Sequence, residues 1–232
     1  EGDKFNREHT IPNNVFNGGF PMRSDAHFVV PSDKFINGAR GTRPYGETNS
    51  PTSTFTNGTK IGPNRNSDYA AGYTNSVFEP IDEFKGDIAR MYFYFVTRYE
   101  DGLSSYDPYD MFDGSTNQAI AQPFLDILYN WHIQDPVSQR EIDRNNAIFT
   151  QHNNRNPFID NPSYVQTIWQ SVLSTKSFSL NDNDISIYPN PLTNQVLTVK
   201  TTKNLDVSVF NVLGQNVFNN KVTPKSNKLN LS

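Results

Sequence analysis

Cysteine is absent from the 232 residues, so disulfides, thiolate metal sites and a cysteine nucleophile are all excluded, and the redox compartment leaves no trace in the chain. Long apolar runs are missing as well. Nothing approaches the roughly 20 residues that cross a bilayer as a helix, so no membrane span is expected. The chain opens EGDKFNREH, with no basic start leading into an apolar stretch, and its true N-terminus is expected to lie upstream. Nor is there a basic excess: 24 acids outweigh 20 bases, a net charge of −4 that does not advertise a polyanionic partner. No HExxH, GxSxG, Walker-type or GxGxxG motif occurs, which removes the commonest peptidase, esterase and nucleotide-binding chemistries.

What is present is aromatic. Phe (17) and Tyr (11) dominate a 13% aromatic content, so the buried area comes from rings more than from aliphatic side chains. Positive charge concentrates locally: from Asp33 to Asn66, Lys34, Arg40, Arg43, Lys60 and Arg65 face only Asp33 and Glu47, which predicts a basic face. Residues 1–80 are rich in Asn, Gly, Pro, Ser and Thr and read as long loops around short strands.

From Asp82 the texture becomes helical. Phe84, Ile88, Met91, Tyr92, Phe95 and Tyr99 predict a helix over about 83–100 with Asp82 as its N-cap and a core-facing aromatic stripe. Phe124, Leu125, Leu128 and Trp131 mark a second helix between Pro123 and His132. Asp135-Pro136 predicts the start of a third, running to about Gln151, and Asn161-Pro162 that of a short fourth carrying Val165, Ile168 and Trp169. Beyond Lys176 a polar NDND stretch at 181–184 leads into alternating segments, ISIYPNP, QVLTVK and LDVSVFNV, parted by turns at Pro189-Asn190-Pro191 and at 213–216. Two domains are expected, 1–176 and 177–232, the second a β-sandwich cut short at Ser232.

Asn6-Arg7-Glu8-His9-Thr10-Ile11-Pro12 places a carboxylate beside an imidazole. Glutamate is a hard ligand for magnesium or calcium, and a neutral imidazole accepts a proton from water near pH 7, the two needs of phosphodiester hydrolysis. Adjacent residues on a regular strand nevertheless point to opposite faces, and a Glu-His pair arises often by chance. His27 reads as a structural histidine, and His132 and His152 as partners of helix-terminal carbonyls. Asp107, Asp110 and Asp113 lack the spacing of an EF-hand.

The chain resembles the bacterial endonuclease I family, secreted or periplasmic nucleases built on a ββα-metal, or His-Me, finger. Four ordered blocks carry the resemblance: NREHTIP at 6–12, SDAHFVVPSDKFINGARGTRPYGE at 24–47, EFKGDIARMYFYFVTRYED at 83–101 and DPVSQREIDRNNAIFTQHNNRNPFID at 135–160. The resemblance implies an α+β fold in which the finger packs with a mainly helical region. His9 takes the place of the general base, and Glu8 and Asn37 those of the ligands to one magnesium ion, with calcium or manganese as substitutes. Arg40, Arg43, Arg90 and Arg155 are candidate phosphate contacts, surface or packing roles being their alternative. For Arg155-Asn156-Pro157-Phe158 that alternative is a loop lock between the last two helices. Phe28 follows His27 where the family usually has Asn or His, and the family's customary segment before the catalytic motif is not in the chain.

Residues after about 180 resemble the C-terminal sorting domain of the type IX secretion system, which implies that export machinery as a partner and a secreted or cell-surface location. The expected activity is endonucleolytic hydrolysis of DNA, and of RNA too, by a monomer with little sequence preference. The competing expectations are a non-catalytic polymer-binding or adhesion protein and a phosphoesterase acting on small substrates.

Overall fold

A computed structural model describes residues 4–169, 172–173, 185–189, 195–202, 204–211 and 215–230. The chain divides into two compact units, Glu1–Ser174 and Thr175–Ser232. Together they are mixed α+β.

The first unit opens on an antiparallel pair. Strand β1 (Phe5–His9) runs against β2 (Val29–Asp33), with Phe5 opposite Asp33 and His9 opposite Val29, and helix α1 (Lys34–Arg40) follows without a break. Asp33 closes the strand and caps the helix, its side chain accepting from the Phe35 and Ile36 amides at 2.8 and 2.9 Å, donors that a first helical turn leaves orphaned. Three short strands, β3 (Ser53–Thr54), β4 (Lys60–Pro63) and β5 (Ser76–Glu79), form a second antiparallel sheet in that order.

Helix α2 (Lys85–Arg98) is the axis of the core. Tyr92, Phe93 and Phe95 on it are fully buried, and Phe95 meets Phe28 edge-on at 5.0 Å and Phe112 in a stack at 5.9 Å. Such pairs add about 0.5–1.5 kcal/mol each beyond their area. Around α2 pack α3 (Gln122–Gln134), α4 (Gln139–His152), α5 (Pro157–Asp160) and α6 (Tyr164–Trp169), with Trp131 and Trp169 both buried. Gly86 sits where α2 meets the end of α3, and a Cβ there would run into the Asp135 carbonyl.

Two helix starts differ from expectation. Asp82 lies in a 3-10 turn ahead of α2 and pairs with Lys85 at 2.7 Å, so its carboxylate is spent on a cation rather than on a cap. Asp135 ends α3 and accepts from the Gly86 amide at 2.8 Å. The start of α4 belongs to Ser138, whose hydroxyl accepts from the Glu141 amide while the Glu141 side chain returns to the Ser138 amide, a full capping box.

Glu141 does double work, because its carboxylate also grips Arg90 through two bonds of 2.6 and 2.8 Å in the interior between α2 and α4. Beside them His132 donates Nε2–H to the Pro162 carbonyl and accepts from Arg90 at Nδ1, an arrangement open only to the neutral ring. Burial, then the Arg90 charge, pushes its pKa down to about 4. The unfolded ring titrates near 6.5, so the unfolded chain takes the proton first. This group's contribution is therefore complete above about pH 6.5 and is lost as pH falls toward 4, roughly 3 kcal/mol in all. An NMR titration of the His132 ring is expected to give a midpoint near 4, and a midpoint near 6.5 would contradict the buried neutral ring.

The second unit is all strands where it is described. β6 (Ile185–Tyr188) and β10 (Lys228–Asn230) flank β7 (Val196–Thr201) in one antiparallel sheet, and β8 (Leu205–Phe210) pairs with β9 (Asn216–Val222). Val199, Val222 and Leu229 make its small core. The NDND stretch, Asn190-Pro191 and the 212–214 turn lie outside the described residues.

Candidate active site

On β1 Glu8 turns inward, while His9, the last residue of the strand, lies close enough for its charge to act on the Glu8 carboxyl. Glu8 is buried and lines a cleft of about 490 Å³ together with Val30, Ile36 and Tyr45. His9, at the strand's end, stays partly exposed with its ring 6.1 Å from Phe16. Its Nε2 lies 3.0 Å from the Arg23 carbonyl. A carbonyl only accepts, so Nε2 must carry the proton, and the lone pair is left on Nδ1. This is the tautomer a general base needs, set by a backbone group.

That backbone group is itself held. Asp25, two residues on, is buried and accepts from the hydroxyls of Tyr94 at 2.8 Å and Tyr99 at 2.6 Å, and from the His27 amide at 2.9 Å. Burial and the Asp25 carboxylate push both phenols up, so they remain donors at any physiological pH. The loop that fixes the imidazole is thus tied to α2. Asp25→Ala is expected to lower stability by about 2–4 kcal/mol, since it strands two buried hydroxyls, and to lower activity further than stability alone explains. Thermal melts and initial rates, each taken well below the melting temperature, separate the two effects.

Arg40 organises the other face. Its guanidinium, 1% exposed, pairs with Glu8 Oε1 and donates to the carbonyls of His9 at 2.9 Å and Thr10 at 2.7 Å, while stacking over the Tyr45 ring at 4.1 Å. One side chain of α1 therefore clamps the last turn of β1. Burial raises the Glu8 pKa above its usual value against the opposing pull of Arg40. Asn37, one helical turn earlier, donates from Nδ2 to the Arg7 carbonyl at 3.1 Å. That bond fixes which end of the amide is nitrogen and leaves Oδ1 as its acceptor, while Arg40 engages Glu8 through Oε1.

A carboxylate from the strand and an amide oxygen from the helix of one strand–helix unit are donor types that suit a hard divalent ion that keeps most of its waters. Among the described residues no three His, Asp or Glu side chains form a metal cage, so an ion here would have few protein ligands.

The arginines expected to contact phosphate fare unevenly. Arg40 and Arg90 are interior, at 1% and 0% exposure, and both are engaged with carboxylates, so neither offers its guanidinium to a substrate. Arg155 bonds Asp160 through two atoms at 2.7 Å and Asn146 at 2.9 Å, the loop-lock geometry. Arg43 is exposed and caps α1 through the carbonyls of Ala39 and Arg40. The expected basic face is largely neutralised too, since Arg65 pairs with Glu47 and Lys60 with Glu79. His27 is a buried, hydrogen-bonded histidine whose Nε2 lies 3.3 Å from the Asn154 carbonyl. Sequence reasoning missed Arg23, whose carbonyl has no side-chain signature, and Asp25, whose tyrosine partners lie 69 and 74 residues further along the chain.

Residues 1–163 match the family described as Endonuclease I, and residues 186–232 match the secretion system C-terminal sorting domain, a module that marks a chain for export. No described helix is long and apolar enough to cross a membrane. An extracellular ribonuclease of Bacillus amyloliquefaciens is 36% identical over 169 residues, covering 71% of this chain and 54% of the relative. An extracellular ribonuclease of Bacillus subtilis (strain 168) is 34% identical over 152 residues, 63% of this chain and 46% of the relative. The chain spans about half the length of these curated relatives. With the strand–strand–helix unit and its Glu8-His9 pair in place, the match settles the lineage: the chain belongs to the endonuclease I family.

Proposed function

We propose that this protein is a secreted, metal-dependent endonuclease that hydrolyses phosphodiester bonds in DNA, and in RNA as well, with little sequence preference. The observation that carries the reading is the His9 tautomer, locked by Arg23 with Nδ1 free at a partly exposed strand end. Family membership and the names of its relatives, both extracellular ribonucleases, support the reaction class and the location.

His9 Nδ1 takes a proton from a water molecule. The oxygen of that water attacks phosphorus in line, the bond from phosphorus to the 3′ oxygen breaks, and the departing oxygen takes a proton from water. Products then carry 5′-phosphate and 3′-hydroxyl ends. Glu8 and Asn37 would hold one magnesium ion, or calcium or manganese in its place, which when bound supplies neutralisation of the charge that builds on the phosphate. Arg40 keeps Glu8 oriented through Oε1. Nothing in the site resembles a base-reading element, in keeping with weak sequence preference.

Plasmid DNA and single-stranded RNA incubated with magnesium, and with EDTA, test the proposal, with end-labelling to read the product termini. Cleavage that requires the ion and leaves 5′ phosphates is expected. A non-catalytic polymer-binding protein would leave both substrates intact, and a small-substrate phosphoesterase would turn over only an aryl phosphodiester. Glu8→Ala is expected to raise the magnesium concentration for half-maximal rate by more than the roughly 10–100-fold typical of losing a ligand's supporting partner. An unchanged metal requirement would remove Glu8 from the site.

A further inference from the structure

The face of β1 that carries His9 has a composition that hydrolysis alone does not require. Phe5, Arg7 and His9 alternate onto it, with Asp33, Pro31 and Val29 opposite them on β2. Phe5 is 82% exposed. Arg7 is exposed, and its guanidinium has no carboxylate partner among the described residues. The loop whose carbonyl holds His9 brings Phe20, 72% exposed, and Arg23, whose guanidinium lies 5.9 Å from the Phe20 ring centroid. Arg23 too has no carboxylate partner among the described residues, in contrast to Arg40, Arg65, Arg90, Arg140 and Arg155.

Phe20 and Arg23 thus sit on the loop that holds the general base, and Arg7 and Phe5 follow it back along the strand, two exposed rings and two unneutralised arginines along one line. Leaving a phenyl ring in water forgoes about 1.5–3 kcal/mol of burial, so rings this exposed next to a catalytic group call for an occupant. Arginine and phosphate supply the charge match, but a phosphate contact is blind to whether the strand is paired. The rings are not blind. A phenyl can stack only on a base whose π-face is free, and in a duplex those faces are covered by neighbouring base pairs. Arg7 and His9 are two residues apart, about 6.6 Å along the strand, close to one nucleotide step of an extended polynucleotide.

We propose that Phe5, Arg7, Phe20 and Arg23 form a platform beside His9 for an unpaired stretch of the substrate strand, with Phe20 stacking on a base next to the scissile phosphate and the arginines contacting the flanking phosphates. The proposal rests on the nuclease reading and adds to it the strand state of the substrate. Cutting is favoured at single-stranded or frayed positions, and weak sequence preference follows from the same contact, since every base has a π-face.

The test uses the full chain with His9→Ala as a non-cleaving binder, and fluorescent oligonucleotides of one DNA sequence as a single strand, a blunt duplex and a single strand with abasic sites. The intact single strand is expected to bind most tightly. Phe20→Ala in that background is expected to reduce the ratio of single-strand to duplex affinity about tenfold, and Phe20→Trp to restore it. Arg23→Gln is expected to weaken binding to all three and to lower the salt dependence by about one phosphate contact. Because Phe20 is exposed, these variants are expected to keep the parent's melting temperature. A duplex bound as tightly as the single strand, or an affinity ratio untouched by Phe20→Ala, would overturn the proposal. If the unmodified protein cleaves neither form, the nuclease reading fails instead, and the two failures are read from different lanes.

Discussion

Replacing His9 with alanine is expected to slow cleavage by roughly 10²–10⁴-fold while leaving the protein folded. The ring, partly exposed at the end of β1, keeps its lone pair on Nδ1, its other nitrogen being committed to the Arg23 carbonyl at 3.0 Å. Its partial exposure and single hydrogen bond mean that truncation removes little packing, so a change in stability within about 1 kcal/mol is expected. Initial rates at saturating substrate should carry the loss, because proton abstraction belongs to the transition state and not to ground-state binding. Imidazole added to the buffer is expected to restore part of the rate to the alanine variant, by occupying the vacated space as a free base. A loss of less than tenfold, or a loss accompanied by a collapsed melting curve, would transfer the role of base to another group.

Arg90→Met is expected to have the largest structural effect, about 3–5 kcal/mol, a sizeable part of the 5–15 kcal/mol that keeps a domain folded. The guanidinium is sealed between α2 and α4 with two bonds to Glu141, one to the Asp135 carbonyl and one to His132. Its removal leaves two neighbouring carboxylates, Glu141 and Asp87, in a low-dielectric interior. Burial and then Glu141 already raise the Asp87 pKa to about 7, so this pair has little tolerance for losing a cation. Lysine is expected to rescue poorly, because an ammonium cannot reproduce the forked two-bond grip. Urea titration reads the loss directly. Were Arg90 a phosphate contact, the variant would melt like the parent and bind substrate more weakly, so a normal melting curve would refute the structural role.

The helices that bury aromatic stripes were plain in the sequence, since period 3.6 survives in any window, and α2 and α3 lie where the spacing puts them. Their starts were less plain. Asp82 and Asp135 have the right side chain for a cap, yet Asp82 is drawn off by Lys85 three residues on, and Asp135 by the end of α3 and the distant Gly86 amide. Ser138 with Glu141 carried the stronger signal all along, hidden behind an Asp-Pro that pointed three residues early.

Glu8, His9 and Asn37 could be named from a short motif and a family likeness, but not what surrounds them. Arg40 meets Glu8 across 32 residues and Arg90 meets Glu141 across 51, and local charge counting is blind to such separations. An arginine in a basic stretch therefore read as a phosphate contact when its acid lay elsewhere in the chain. Arg23 escaped notice for a simpler reason: its contribution to His9 is a peptide oxygen, which every residue has.

The alternation along β1 sets what kind of change this protein tolerates. A point substitution at the exposed Asn6 alters its immediate surroundings, whereas deleting a single residue from the hairpin slides the whole strand by one pleat. The imidazole would then turn inward toward Tyr45 and the carboxylate outward into solvent, with every functional side chain still encoded and none where it is needed. For this hairpin, spelling is forgiving and metre is not.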